Sequence, residues 1–269
     1  MTASPNPPRA RRPRAAVLPA LVLSILTLAA DPGGAEWWDG FGPSGVVGGV
    51  YSMTGHLGDL YVGGLFDEAG GQPAANIARF DGRRWSDVDG GTDGRVRAVY
   101  SYGTTVVIGG NFFTAGGSTC AHVAHLELGE WTPMGDGLAD WPNAFCVHNT
   151  ALHAGGKIDA DGDWNYSVVA RWDGMNWHDE FDGPSLVNEA YDLVHFDGSL
   201  FIGGDFQLDA FDPDIWNFTE FDGADWTDFG FWNGQYVNTM LVHDYSLYVG
   251  GSFSNAGVIP SWGLVLMTS

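Results

Sequence analysis

Five Gly-Gly pairs, five tryptophans on the same beat and a lack of helical periodicity after the N-terminal stretch predict an all-β chain. Its architecture is expected to be a five-bladed β-propeller with four-stranded antiparallel blades. The pairs Gly63-Gly64, Gly109-Gly110, Gly155-Gly156, Gly203-Gly204 and Gly250-Gly251 stand 46, 46, 48 and 47 residues apart. Each closes a short apolar run such as LYVGG or LFIGG. Trp38, Trp85, Trp131, Trp177 and Trp226 keep spacings of 47, 46, 46 and 49. Two independent markers with one period are the sequence form of a tandem structural unit.

Each unit divides into four β-prone pieces. The first is a run such as Val96–Tyr100 or Tyr191–Val194. A short turn leads to the second, which ends in Gly-Gly. A longer loop, often containing Ala-Gly-Gly, leads to the third: Ile77–Phe80, Val123–Leu126, Val169–Trp172 and Phe218–Phe221. The fourth begins at the marker tryptophan. Asp81-Gly82, Asp173-Gly174 and Asp222-Gly223 join the third piece to the fourth, and they are hairpin signals because such turns need positive φ. Leu128-Gly129 fills that place in the second unit. The residue ending the third piece lies five before the marker tryptophan, so the two face each other across one hairpin. Glycine pairs let backbones approach closely, as a crowded inner strand requires.

The phase of the pieces bears on closure. Residues 36 onward start in a fourth piece, at Trp37-Trp38, and the last unit ends on a third piece, Leu264–Met267. The N-terminal strand is therefore expected to complete the C-terminal blade and to remove two exposed sheet edges.

Leu60–Gly64, Phe66, Ala69–Gly71, Asn76–Gly82 and Trp85, echoed in later units, carry a resemblance. The unit resembles the LYVGG-F--AGG---N-IARFDG---W repeats of large secreted bacterial proteins. It is also similar to kelch-related propellers and to the cortical-marker propellers of fungal cell polarity. The resemblance implies the fold and an extracytoplasmic setting, and it brings no catalytic residue. The fourth unit departs most, with 207–216 in place of the Ala-Gly-Gly loop.

Residues 1–35 read as a signal peptide. Arg9, Arg11, Arg12 and Arg14 precede an apolar stretch from Ala15 to Ala30, and small residues follow. The propeller is assigned to 36–269, without a membrane span once the leader is removed, and the chain is expected to be a monomer that is secreted, periplasmic or at the cell surface. Eleven basic and 33 acidic residues give a net charge of −22, which repels nucleic acid and anionic membranes. Cys120 and Cys146 could pair in an oxidising compartment or remain two buried thiols. Two thiols are too few for a zinc site.

Several residues are candidates for sites. Asp159, Asp161, Asp163 and Asn165 alternate oxygen ligands around Gly162 in the third long loop, which suits calcium, though the glycine is displaced from its EF-hand place. Asp209, Asp212 and Asp214 form a weaker version. Trp141, Trp164, Trp216, Trp232 and Tyr236 are expected on the loop face, where rings beside carboxylates suit sugar stacking. His148, His195 and His243 occupy matching places, and three imidazoles could hold a metal. His122 and His125 are on a strand and point to opposite faces. No G-x-S-x-G, H-E-x-x-H, phosphate loop or dinucleotide fingerprint is present. The expectation is a non-enzymatic binding module without a resident cofactor, calcium aside, for an unknown protein or carbohydrate partner. A lectin-like propeller is the first alternative. A glycosidase built on two of the many carboxylates is the second.

Overall fold

The computed structural model describes residues 41, 45–158, 160, 167–180, 185–208, 215–230 and 235–268. Among the described residues the chain is all-β, with no helix and no segment long and apolar enough to cross a membrane as one. Trp37-Trp38, the four proposed calcium ligands, Asp209, Asp212, Asp214, Trp164 and Trp232 lie outside the described residues.

Five antiparallel sheets follow one another along the sequence. The first contains β1 (Val46–His56), β2 (Asp59–Ala69), β3 (Gln72–Pro73), β4 (Ile77–Phe80) and β5 (Trp85–Asp87), in the order β1-β2-β4-β5 with β3 on β2. The second contains β6 (Arg95–Tyr102), β7 (Thr105–Asn111), β10 (Val123–Glu127) and β11 (Glu130–Pro133). Between β7 and β10 a small hairpin pairs β8 (Thr114–Ala115) with β9 (Ser118–Thr119). The third runs β12 (Pro142–His148), β13 (Ala151–Ile158), β14 (Ser167–Trp172) and β15 (Trp177–Asp179). The fourth runs β16 (Ser185–Phe196), β17 (Ser199–Leu208), β18 (Ile215–Phe221) and β19 (Trp226–Asp228). The fifth has three described strands, β20 (Tyr236–His243), β21 (Ser246–Ser252) and β24 (Leu264–Thr268). A hairpin of β22 (Asn255–Ala256) and β23 (Ile259–Pro260) lies between the last two.

The hairpin chemistry is local. Gly82, Gly174 and Gly223 adopt φ of 87°, 102° and 102°. The preceding aspartates fix these turns, each accepting two amide hydrogens: Asp81 from Arg83 and Arg84, Asp173 from Met175 and Asn176, Asp222 from Ala224 and Asp225. The turns bring Phe80 opposite Trp85, Trp172 opposite Trp177 and Phe221 opposite Trp226, with ring centroids 5.1, 5.3 and 4.7 Å apart. Such ring pairs contribute about 1 kcal/mol each beyond their buried area.

Buried apolar side chains form a seam between each sheet and the next. Tyr61 and Ile77 meet Val96 and Val99; Val107 meets Phe145; Ala144 and Val169 meet Leu193 and Ile202; Phe201 and Phe218 meet Val237 and Met240. The two glycines of each pair serve different ends here. A Cβ on the first would strike the first strand of the next sheet: Val96 and Val99 from Gly63, Pro142 and Phe145 from Gly109, Leu193 from Gly155, Val237 from Gly203. A Cβ on the second would strike the backbone of its own sheet's first strand, at Gly49 from Gly64 and at Glu189 from Gly204. Gly250 alone of the first glycines meets no neighbouring sheet; its nearest atom is Thr239 Cγ2 at 3.4 Å. On the face of the fifth sheet turned away from the fourth, Leu241 pairs with Tyr248 and Tyr248 with Leu266, and all three are exposed.

Polar bonds also link each first strand to the next. Ser52 Oγ accepts from Val99 N at 3.0 Å and the Tyr100 hydroxyl accepts from Val147 N at 3.3 Å, both across 47 residues. Asn143 Nδ2 donates to the Ala190 carbonyl at 2.9 Å, and Asp192 Oδ2 accepts from Met240 N at 2.6 Å. Cys120 and Cys146 are both buried and unpaired, and burial pushes their thiols up to about 11 and about 12.

Candidate functional site

The long first strand of every sheet contains a β-bulge, where one extra residue stands outside the ladder. The register slips between Val50 and Ser52, Val96 and Ala98, Pro142 and Ala144, Ala190 and Asp192, and Val237 and Thr239. The extra residues are Tyr51, Arg97, Asn143, Tyr191 and Asn238. A bulge re-aims the side chain that it carries. Here all five converge: one from each sheet, they line both of two adjoining cavities of about 690 and 450 Å³.

The larger cavity is also lined by Arg95, Asp205 and Tyr236, and it contains no aliphatic side chain. Arg95 and Tyr236 are the first residues of β6 and β20 and are exposed, so the mouth is at the ends where the first strands begin. The smaller cavity continues inward past Ser52–Thr54, Ala98–Tyr100 and Leu193–His195. A wider groove of about 1050 Å³ lies beside the turn residues Leu57 and Leu128, where Arg79 pairs with Asp59. That groove draws on three of the sheets only, so the five-sided cavity is the stronger site.

A polar relay holds the cavity wall in place. The Arg97 guanidinium lies 5.3 Å from the Trp141 ring centroid, and its Nη1 donates to Asn143 Oδ1 at 2.8 Å. Asn143 Nδ2 in turn donates to Glu189 Oε2 at 2.9 Å. Arg97 Nε and Trp141 Nε1 are buried with no acceptor among the described residues. Glu189 pairs directly with Asp205 across β16 and β17. Burial pushes the Tyr191 phenol up to about 12, with Glu189, Asp205 and Tyr236 adding to the rise and Arg97 opposing it. Tyr191 is therefore a neutral hydroxyl, able to donate, at any physiological pH.

The residues singled out from sequence fare unevenly. Tyr236 lines the cavity, and Trp141 backs it by stacking under Arg97. Trp216 is half-buried on β18, paired with Gln207, and does not line it. His148 and His195 come together, Nδ1 to Nδ1 at 3.0 Å, whereas His243 is exposed beside Asp244. No group of three His, Cys, Asp or Glu suited to a metal occurs among the described residues. His122 is buried on the Gly110 carbonyl, and His125 faces Glu127 instead. The bulge residues are not marked by composition or by any motif. Their signal was present: each stands twelve residues before the first glycine of its pair.

Two buried groups, Asp192 in the wall of the smaller cavity and His153 on β13, titrate in opposite senses. Burial holds Asp192 up to about 7, against hydrogen bonds from Met240 N, Leu193 N and Thr239. The folded state then keeps a proton that the unfolded chain releases, so its contribution falls as pH rises from about 4 to 7. Burial lowers His153 to about 4, with the Ala151 carbonyl opposing and His148 and Arg171 adding to the fall. Its contribution is present above about 6.5 and is lost as pH falls towards 4. Asp192→Asn should remove the first slope alone. Denaturant melts from pH 7 to 4 should then show stability falling by up to about 3 kcal/mol more than in the parent chain. Parallel pH profiles for the two proteins would refute the assignment to Asp192.

The fold and cavity define the class: an all-β chain of antiparallel sheets with a polar cavity lined by one bulge residue from each of five sheets. No protein-family model and no curated protein matches the chain. Among solved structures it is similar to the computationally designed Ika8 protein, at 15% identity and a TM-score of 0.45, over 76% of this chain and 56% of that one. It is also similar to YjhT, at 10% identity and a TM-score of 0.47, over 81% and 80% of the two chains. The chain thus spans little more than half the length of the designed protein.

Proposed function

We propose that this chain is a secreted, non-enzymatic five-bladed β-propeller that acts as a binding module and takes its ligand in the central cavity. The convergence of Tyr51, Arg97, Asn143, Tyr191 and Asn238 carries the reading, because five bulges aimed at one space serve recognition better than they serve strand pairing. The blade count is supported by five sheets in chain order, each packed on the next. Closure by residues 36–45 is supported by the fifth sheet, which has three described strands where the others have at least four, and whose β24 pairs only with β21 among the described residues. The resemblance to secreted repeat proteins and the leader-like 1–35 support export.

Carbohydrate is the favoured partner class. Tyr51, Tyr191 and Tyr236 offer rings and hydroxyls, while Asn143, Asn238 and Asp205 offer further polar contacts without an aliphatic surface. Asp205 in the cavity wall, paired across the strands with Glu189 behind it, is what suits a glycosidase, but Glu189 does not line the cavity and spends an oxygen on Asn143. A glycan array probed with the intact chain tests the module. Binding that falls at least about tenfold with Tyr191→Ala is expected. Binding that survives both Tyr191→Ala and Asn143→Ala would move the site elsewhere, and release of reducing ends from a bound glycan would make the protein an enzyme.

A further inference from the structure

We propose that the groove beside Leu57 and Leu128 is a docking surface for a protein segment that carries both large apolar side chains and lysine or arginine. The groove lies at the far end of the first strands from the cavity mouth, so it is a second surface, independent of the carbohydrate reading.

Two leucines carry the inference. Five two-residue hairpin loops begin on a side chain other than glycine at positive φ: Leu57 (51°), Leu128 (53°), Asn149 (47°), Asp197 (49°) and Asp244 (46°). Asparagine and aspartate tolerate this left-handed conformation, and leucine does not. The leucines are also left in water, Leu57 83% exposed and Leu128 fully so. Each therefore carries two penalties, a strained backbone and an unburied apolar chain, that asparagine would avoid. Such strain persists at sites that serve recognition rather than folding. Both leucines border the one groove of about 1050 Å³. Gly174 lines it too, and Met175 beside Gly174 is 76% exposed. Three successive sheets thus each offer an exposed apolar tip at this end. On the fifth sheet Tyr245 is exposed as well, but it is not part of the lining. Leu126 and Trp172, both half-buried, continue the apolar surface into the groove.

Charge points to the occupant. Arg79 is the one arginine or lysine in the lining among the described residues, and Asp59 holds it at 2.6 Å. Arg83 and Arg84 are on the turn beyond and do not line the groove. Asp87, Asp89 and Glu127 do line it, all exposed, and none pairs with an arginine or lysine among the described residues. Glu127 has the His125 imidazole 3.6 Å away. Asp87 and Asp89 each accept one backbone amide, from Gly90 and Trp131. Free carboxylates between apolar tips suit a segment in which basic and apolar residues are interspersed. A second copy of this chain suits them poorly, because a net charge of −22 with seven basic residues beyond residue 35 brings like charge to the groove.

The test selects a random peptide library, displayed on phage, against the intact chain. Enriched peptides should combine lysine or arginine with leucine, isoleucine, phenylalanine or methionine. The double variant Leu57→Asn/Leu128→Asn should bind them at least about tenfold more weakly. It keeps every charge, so the loss reads the leucines and not a general attraction to an acidic surface. The same variant should melt about 4 °C higher than the parent, because asparagine relieves both turns. Leucines that served only the fold would lower the melting temperature when replaced. A lower melting temperature, equal binding of the peptides by both proteins, or a selection that enriches nothing would each overturn the docking surface. Enriched peptides without basic residues would overturn the proposed occupant. A parent chain that sediments as a dimer, with a monomeric double variant, would give the groove to a second copy instead.

Discussion

Gly203→Ala is expected to destabilise the fold by about 3 kcal/mol, lowering the melting temperature by about 6–12 °C in a domain of this size. The added methyl would lie 2.5 Å from Val237 Cγ1 and 3.0 Å from its Cβ, in a seam where Val237 and Met240 are already buried. A branched side chain on a paired strand has no rotamer that clears it, so strands must part. The informative partner is Gly250→Ala. In the described geometry its methyl meets nothing closer than Thr239 Cγ2 at 3.4 Å, an ordinary contact. In a closed ring, however, Val50 and Met53 would approach Gly250 as Val237 and Met240 approach Gly203, since they hold the same places in the first strand. Closure therefore predicts that both substitutions cost about the same. Thermal melts in which Gly203→Ala falls sharply and Gly250→Ala does not move would refute the closed ring.

Deletion of residues 36–45 should have an effect at least as large. The proposed ring loses the strand that pairs with β24, and Leu264 and Leu266, 62% and 50% exposed in the described structure, stay uncovered. A strand's worth of ladder and apolar cover is worth about 4 kcal/mol or more, or roughly 10 °C. Part of the loss has a separate cause. The Phe41 ring packs 5.2 Å from Phe80, its carbonyl accepts from Trp85 Nε1 at 3.2 Å, and Gly45 O accepts from Gly70 N. Phe41→Ala measures the ring's share, and the excess belongs to the strand. A truncated chain that melts no lower than Phe41→Ala would leave the ring without its proposed fastening.

Much of the sheet framework was legible because its causes are local. Asp81, Asp173 and Asp222 with their glycines fix hairpins through their own side chains and φ angles. The apolar runs before Gly63 and Gly203 are short and continuous, as strands buried on both faces are, and both glycines could be read as close approaches. The cavity was less legible. A bulge is a mismatch between two strands, so Tyr51 and Asn238 look in sequence like any residue of a first strand. Composition pointed instead to tryptophan, which is conspicuous by its rarity elsewhere. Yet Trp141 acts from behind Arg97, and Trp216 is a half-buried strand residue. The histidine period was real, but His243 follows its turn outward to Asp244 while His148 and His195 meet across a seam.

The bulge column has a consequence for how such a protein changes over time. Its five side chains stand outside the ladder; Arg97 and Asn143 brace neighbouring sheets, whereas Tyr51, Tyr191 and Asn238 carry no such brace among the described residues, so the identity of these three is the least tied to what makes the chain fold. Tyrosine, arginine and asparagine already share equivalent places in one molecule. Three codons can therefore drift, or be randomised together in a library, with the scaffold left intact, and new specificities become reachable by single steps through folded intermediates.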